Sequence, residues 1–126
     1  MKTIQKTYRV HAPIEKVWDA LVQPKIIQQW SGSSAKMEAK EGFNFKLWNG
    51  DIHGKNITVQ KNKELVQEWF GGDWDNPSLA MFTLSEKDGV TTVKFVNTNV
   101  PDDAAKDIDD GWDRYYLGPI KKLLES

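Results

Sequence analysis

The chain has 126 residues, with 17 basic and 18 acidic side chains, a formal net charge of -1, 39% hydrophobic residues and no cysteine. A single domain of this size buries about two thirds of the surface its unfolded chain exposes, and its near-neutral charge offers no long-range attraction to nucleic acid or to an anionic membrane. The lack of cysteine excludes a disulfide framework and a thiol nucleophile, and MKTIQKTYRV has no apolar signal core, so a cytoplasmic protein is expected.

Residues 2–10 read as a first strand. Ile14, Val17, Trp18 and Leu21 then recur at helical spacing, with Pro13 placed for the first helical position, where a missing N–H costs nothing. Pro24 opens a second short helix carrying Ile26 and Ile27, which runs to Trp30 and stops by Gly32. Between Ser34 and Thr98 the period changes to two, and strands are expected at 34–39, 43–48, 51–61, 64–70, 78–85 and 91–98. Asn49-Gly50 and Asp88-Gly89 are hairpin signals, because both central residues of a type I′ turn need positive φ. Closely spaced hairpins make an antiparallel meander.

On the pleat, Phe43, Phe45 and Leu47 share one face, as do Leu65, Gln67 and Trp69. Ala80, Phe82 and Leu84 form a third row, and Val93, Phe95 and Asn97 a fourth; Trp48 has the opposite parity and is placed at a strand end. From about residue 103 to 125 the period is helical again. Ile108, Trp112, Tyr115, Tyr116, Ile120, Leu123 and Leu124 form an apolar stripe, while the aspartates of DDAAKDIDD crowd the amino end as a capped helix start. Pro119 cannot donate to the carbonyl of Tyr115, so Gly118-Pro119 predicts a bend, with space under the first half of the helix. At 1.5 Å per residue the helix reaches about 34 Å, long enough to cross the sheet. The expected fold is α+β: a curved antiparallel sheet around one long C-terminal helix, with two short helices after the first strand, in a single domain over 1–126.

Four segments carry a resemblance. The first is Ala12, Pro13, Val17, Trp18, Ala20 and Leu21, followed by Pro24 and Trp30. The second is the glycine pair Gly50 and Gly54, and the third Leu65, Val66 and Trp69. The last is Gly111, Trp112, Tyr115, Tyr116, Ile120 and Lys121. In this order they resemble the helix-grip (START-like) relatives of the carboxy-terminal domain of the activator of the heat-shock protein 90 ATPase. The resemblance implies a helix-grip fold, a cavity between helix and sheet, and contact with a chaperone of the heat-shock protein 90 type. Nothing in these residues resembles that family's separate amino-terminal domain, on which most of its stimulation of the ATPase relies.

Trp30, Phe45, Trp69, Phe82, Phe95, Trp112 and Tyr116 are candidates to line a pocket for a small apolar ligand, as the architecture implies; for any one of them, packing in the core is the competing reading. Gln67 and Asn97 join the candidates because an inward amide needs a partner. Phe70 and Trp74, in the loop FGGDWDNPS, are partner-contact candidates, against the alternative that they fold back over the core. His11 and His53 have no metal-site spacing, and no Ser–His–Asp set or phosphate loop is present, so no metal, cofactor or catalytic residue is expected. Three readings remain open: a non-enzymatic chaperone-contacting domain, a carrier or sensor of a hydrophobic ligand, and a cyclase- or hydratase-like enzyme acting in the cavity.

Overall fold

The computed structural model describes residues 1–71 and 74–125. Strand β1 (Lys2–Val10) leads into helices α1 (Ile14–Val22) and α2 (Pro24–Ser31), then β2 (Asn44–Leu47), β3 (Ile52–Gln60), β4 (Glu64–Gly71), β5 (Ser78–Lys87) and β6 (Val90–Val100). Helix α3 (Ala105–Gly111), a π-helical segment (Trp112–Leu117) and α4 (Gly118–Glu125) complete the chain. The six strands form one antiparallel sheet in the order β1-β6-β5-β4-β3-β2. The chain has the α+β helix-grip fold, its C-terminal helix lying against the inner face of the sheet.

The inner rows follow the pleat. Phe45, Leu47, Leu65, Gln67, Trp69, Ala80, Phe82, Leu84, Val93, Phe95 and Asn97 are all buried. Lys87 pairs with Val90 across a two-residue turn in which Asp88 and Gly89 have φ of 53° and 79°, the geometry expected of a type I′ hairpin.

Several expectations are corrected. Residues 34–39 form no strand, only an isolated bridge from Lys36 to Lys46. The reason lies in Asn56, whose side-chain amide donates to the carbonyls of Glu38 (2.8 Å) and Lys40 (3.3 Å), so a side chain takes the place of a ladder. Asn49-Gly50 is not a two-residue turn: Leu47 pairs with Ile52, leaving a four-residue connection in which Trp48, Asn49 and Gly50 all have positive φ. Pro13 is the cap residue before α1 and not its first helical residue; the N–H of Ile14 donates instead to Glu86 at 2.7 Å.

The long helix is interrupted. The N–H of Gly118 returns to the carbonyl of Asp113, five residues back, which is the π pattern. A Cβ at position 118 would collide with that carbonyl oxygen, so glycine is required for the return. The widened turn directly precedes Pro119, whose missing N–H leaves the regular ladder incomplete. Its extra residue rotates the stripe, so Tyr115 is 58% exposed, contrary to expectation, while Leu117 is buried with Trp112, Tyr116 and Ile120. Nor is the helix start capped by a side chain: Ala104 holds the cap position of α3 with no side-chain hydrogen bond.

Two of the helix aspartates are used elsewhere. Lys6, on the inner face of β1, donates to Asp109 (2.6 Å) and Asp113 (2.9 Å), and the Tyr8 hydroxyl also donates to Asp113. Farther along, Lys121 donates to the carbonyl of Arg9, and Glu125 accepts from the N–H of His11 at 2.9 Å. The helix is thereby fastened along the edge strand β1.

Burial opposes ionisation of Asp113, but the bonds from Tyr8 and Lys6 outweigh it and hold its carboxyl below the ordinary 3.8. Burial and the Asp113 carboxylate both push the Tyr8 hydroxyl up from 10.0. For Lys6, burial lowers the pKa, and the two aspartates more than reverse this, raising it above 10.5. The Asp113 contribution to stability is therefore full above pH 3.8 and lost as pH falls through its folded value. The contributions of Tyr8 and Lys6 are full at neutral pH and lost as pH rises through their raised folded values. We expect Asp113→Asn to lower the urea midpoint at pH 7, and the gap to wild type to close as pH drops below 3.8. A midpoint equal to wild type at pH 7 would show that the clasp contributes nothing.

Candidate functional site

The aromatic side chains singled out in the sequence converge on one cluster between the π segment and β4, β5 and β6. Trp112 lies with its ring centroid 4.3 Å from Phe95, 4.7 Å from Trp69 and 5.0 Å from Tyr116. Tyr116 stands 4.6 Å from Trp30 and stacks on Phe82 at 5.7 Å, and Phe45 meets Trp69 at 5.7 Å. Offset and edge-to-face contacts of this kind add about 0.5–1.5 kcal/mol each beyond area burial.

Of the three indole N–H groups of the cluster, Trp30 donates to the carbonyl of Ala20 in α1 at 2.8 Å, and the other two are satisfied by the sheet. Trp112 Nε1 donates to Asn97 Oδ1 at 3.0 Å, and Asn97 donates to the carbonyl of Leu79 at 2.8 Å. Trp69 Nε1 donates to Gln67 Oε1 at 2.7 Å, Gln67 donates to Asn56 Oδ1 at 2.9 Å, and Asn56 Nδ2 donates to the carbonyls of Glu38 and Lys40. The inward amides Gln67 and Asn97 thus find their partners within the protein. Asn56 escaped the sequence reading because the inner row of β3 before the bulge, Ile52, Gly54 and Asn56, is not an apolar one; Asn56 lies directly across from Gln67 and is fully buried, while Ile57 is turned outward.

Beside the cluster is a recess of about 500 Å³, open to solvent, at the end of the sheet where the 48–51 turn meets α3. Of the cavity candidates, Trp69, Asn97, Trp112 and Tyr116 line it, whereas Trp30, Phe45, Gln67, Phe82 and Phe95 lie in the packed core away from it. Trp74 lines it as well, folded back with its benzo ring over Gly71; three ring carbons lie 3.3–3.4 Å from the position a Cβ on Gly71 would take. Phe70 is apart, half-buried and stacked parallel to His53 at 5.3 Å. Sequence reading did not place Trp48, Asp51, Ile52, Ile108 or Tyr115 at this site. The signal available was the irregular one: positive φ at Trp48 and the π turn at Tyr115 turn these side chains out of the rows that periodicity defines.

Chemically the recess offers surface and little else. Burial pushes the Tyr116 hydroxyl up, keeping it protonated. Among the described residues, Asp51 is the sole charged residue in the lining. Among the described residues no group of three His, Cys, Asp or Glu side chains could hold a metal ion, and no helix is long and apolar enough to cross a membrane.

Residues 11–125 match the family described as Activator of Hsp90 ATPase homolog 1-like protein. An uncharacterised protein of Schizosaccharomyces pombe is 26% identical over 123 residues, covering 96% of this chain and 37% of its own length. An Activator of 90 kDa heat shock protein ATPase homolog from Dictyostelium discoideum is 30% identical over 107 residues, covering 82% of this chain and 28% of its own length. The chain therefore spans about a third of the length of these relatives. A crystal structure of an HSP90 activator from Plasmodium falciparum has the same fold, with a TM-score of 0.92 at 24% identity over 98% of this chain and 96% of that one. The chain belongs to the Activator of Hsp90 ATPase homolog 1-like family.

Trp112→Ala removes the centre of the cluster and leaves Asn97 Oδ1 without its donor. We expect a loss of about 3–5 kcal/mol, seen as a much lower urea midpoint with little change in slope. Trp112→Phe, which keeps most of the packing and loses only the bond, is expected to cost about 1–3 kcal/mol. A midpoint for the alanine variant within a fraction of a kcal/mol of wild type would remove Trp112 from the core.

Proposed function

We propose that this domain is a non-enzymatic binding module that contacts a chaperone of the 90 kDa heat-shock class in the cytoplasm. The observation that carries the reading is the family match across residues 11–125, together with relatives named as activators of that chaperone's ATPase. What the site presents fits binding: aromatic surface, amides already bonded, and one carboxylate, Asp51, with no catalytic partner beside it among the described residues. Phe70, stacked on His53, and Trp74, folded over Gly71, are the loop aromatics we assign to partner contact.

A second reading is favoured by the recess itself. Its volume of about 500 Å³ lies within the range of small-molecule sites, and its walls are apolar with few polar groups. In this reading the domain carries or senses a small apolar ligand. A cyclase- or hydratase-like enzyme is the weakest of the three readings: Tyr116 is pushed away from an acid–base role, and Asp51 stands in the lining with no second acid–base side chain among the described residues bonded to it.

Titrating the purified domain into a 90 kDa heat-shock chaperone by calorimetry, with the ATPase rate followed in parallel, tests the first reading. Binding with a change in ATPase rate is expected, and Phe70→Ala with Trp74→Ala should weaken it at least tenfold. No binding and no change in rate would remove chaperone contact.

A further inference from the structure

We propose that the recess at the end of the sheet selects a small organic cation of the quaternary-ammonium type; this rests on the reading that the recess holds a ligand and names its chemistry. Four of the six tryptophans (Trp48, Trp69, Trp74 and Trp112) and Tyr115 contribute to its walls. The indole N–H groups of Trp69 and Trp112 are already donated to Gln67 and Asn97, so these rings have no hydrogen bond to offer a ligand and meet it with carbon and π surface. Aromatic rings carry negative potential on their faces and attract a cation lodged among them, most strongly where water is thinned out.

The charge distribution points the same way. Among the described residues no Lys, Arg or His lines the recess, and the one charged side chain in the lining, Asp51, is an acid. An anionic ligand such as a carboxylate lipid would enter beside Asp51 with no cationic side chain among the described lining residues, at a desolvation cost that neutral indole and hydroxyl donors offset only in part. A neutral apolar ligand would gain the area burial alone. A trimethylammonium group gains the same burial, because its methyl shell is apolar, together with attraction to the rings and to Asp51.

The walls are also held in place before any ligand arrives. Trp69 and Trp112 are fixed by their bonds and by each other at 4.7 Å, and Trp74 rests on Gly71, where a Cβ would press at 3.3 Å on its ring. Little ordering remains to be done on binding. At Gly111, by contrast, a Cβ would meet only Tyr115, at 3.9 Å, so a larger side chain can be accommodated there from the helix side and would fill the space.

The test is a titration of the full chain, followed by the indole cross-peaks of its NMR spectrum, with three probes: benzyltrimethylammonium, its neutral isostere neopentylbenzene, and phenylacetate. The expected result is that the cation binds at least about fivefold more tightly than the neutral probe, and that phenylacetate binds most weakly. The peaks of Trp48, Trp69, Trp74 and Trp112 should move, and those of Trp18 and Trp30, which lie outside the recess, should stay. Asp51→Asn should reduce the cation's advantage and leave the neutral probe's affinity unchanged. Gly111→Leu should weaken both, with a thermal melt confirming that each variant is folded. Equal or tighter binding of neopentylbenzene overturns the cation selectivity and leaves ligand holding intact. Failure of all three probes to move the four recess indoles overturns both, and tighter binding of phenylacetate overturns the charge argument outright.

Discussion

The structure depends on burying two indole N–H groups in the space between helix and sheet. An unpaired donor there would cost about 1–3 kcal/mol, a large fraction of what holds a domain of this size together. Asn97 and Gln67 remove that cost from the sheet side, one for Trp112 and one for Trp69. The consequence reaches beyond the two bonds. Asn97 must itself be satisfied by Leu79, and Gln67 by Asn56, and Asn56 then holds the irregular segment at residues 38 and 40. A demand that begins at one helix residue thus organises β6, β4, β3 and the stretch before β2.

The position of the helix follows from a different constraint. A regular α-helix through Pro119 would leave a carbonyl without a partner, and the chain instead widens into a π turn that only a glycine at 118 can close. This sets which side chains face the sheet: Tyr116 and Leu117 are turned in and Tyr115 out. The clasp of Lys6 and Tyr8 on Asp109 and Asp113 fixes the same segment from β1. Its members are part exposed, so its worth lies mainly in register, since screened surface pairs contribute little to stability. Core packing gives the energy, and the clasp selects one of several ways to obtain it.

Much of this was legible in the sequence. The alternating rows on β4, β5 and β6 follow directly from a period of two, and Asp88-Gly89 has the turn geometry its composition demands. Trp112 at the centre of the stripe follows from helical spacing. What was not legible is what breaks a period. The bulge that follows Asn56 in β3, the four-residue connection at 48–51 and the π rotation that exposes Tyr115 each depend on tertiary partners that no local pattern announces. Residues 34–39 have a strand's pattern without a strand's partner, because the groups they would pair with are supplied by one amide side chain.

The same distinction separates the core from the recess. Periodicity finds residues that pack, and it duly gathered Trp30, Phe45, Phe82 and Phe95, which the structure uses as packing. The recess is walled in large part by residues outside the periodic rows: Trp48 in the left-handed turn just after β2, Tyr115 turned out within the π segment, and Asp51 and Ile52 where that turn enters β3. This has a physical basis. A regular helix on a regular sheet would close the gap between them with interdigitating side chains, as close-packed interiors do. An open space of about 500 Å³ survives only where the backbone departs from regularity and carries large side chains out of the packing rows. In this fold the departures cluster at one end, around Trp48, Gly71 and the π turn. The cost of keeping an aromatic-walled space open there is met by the bonds that hold its inner walls to the sheet.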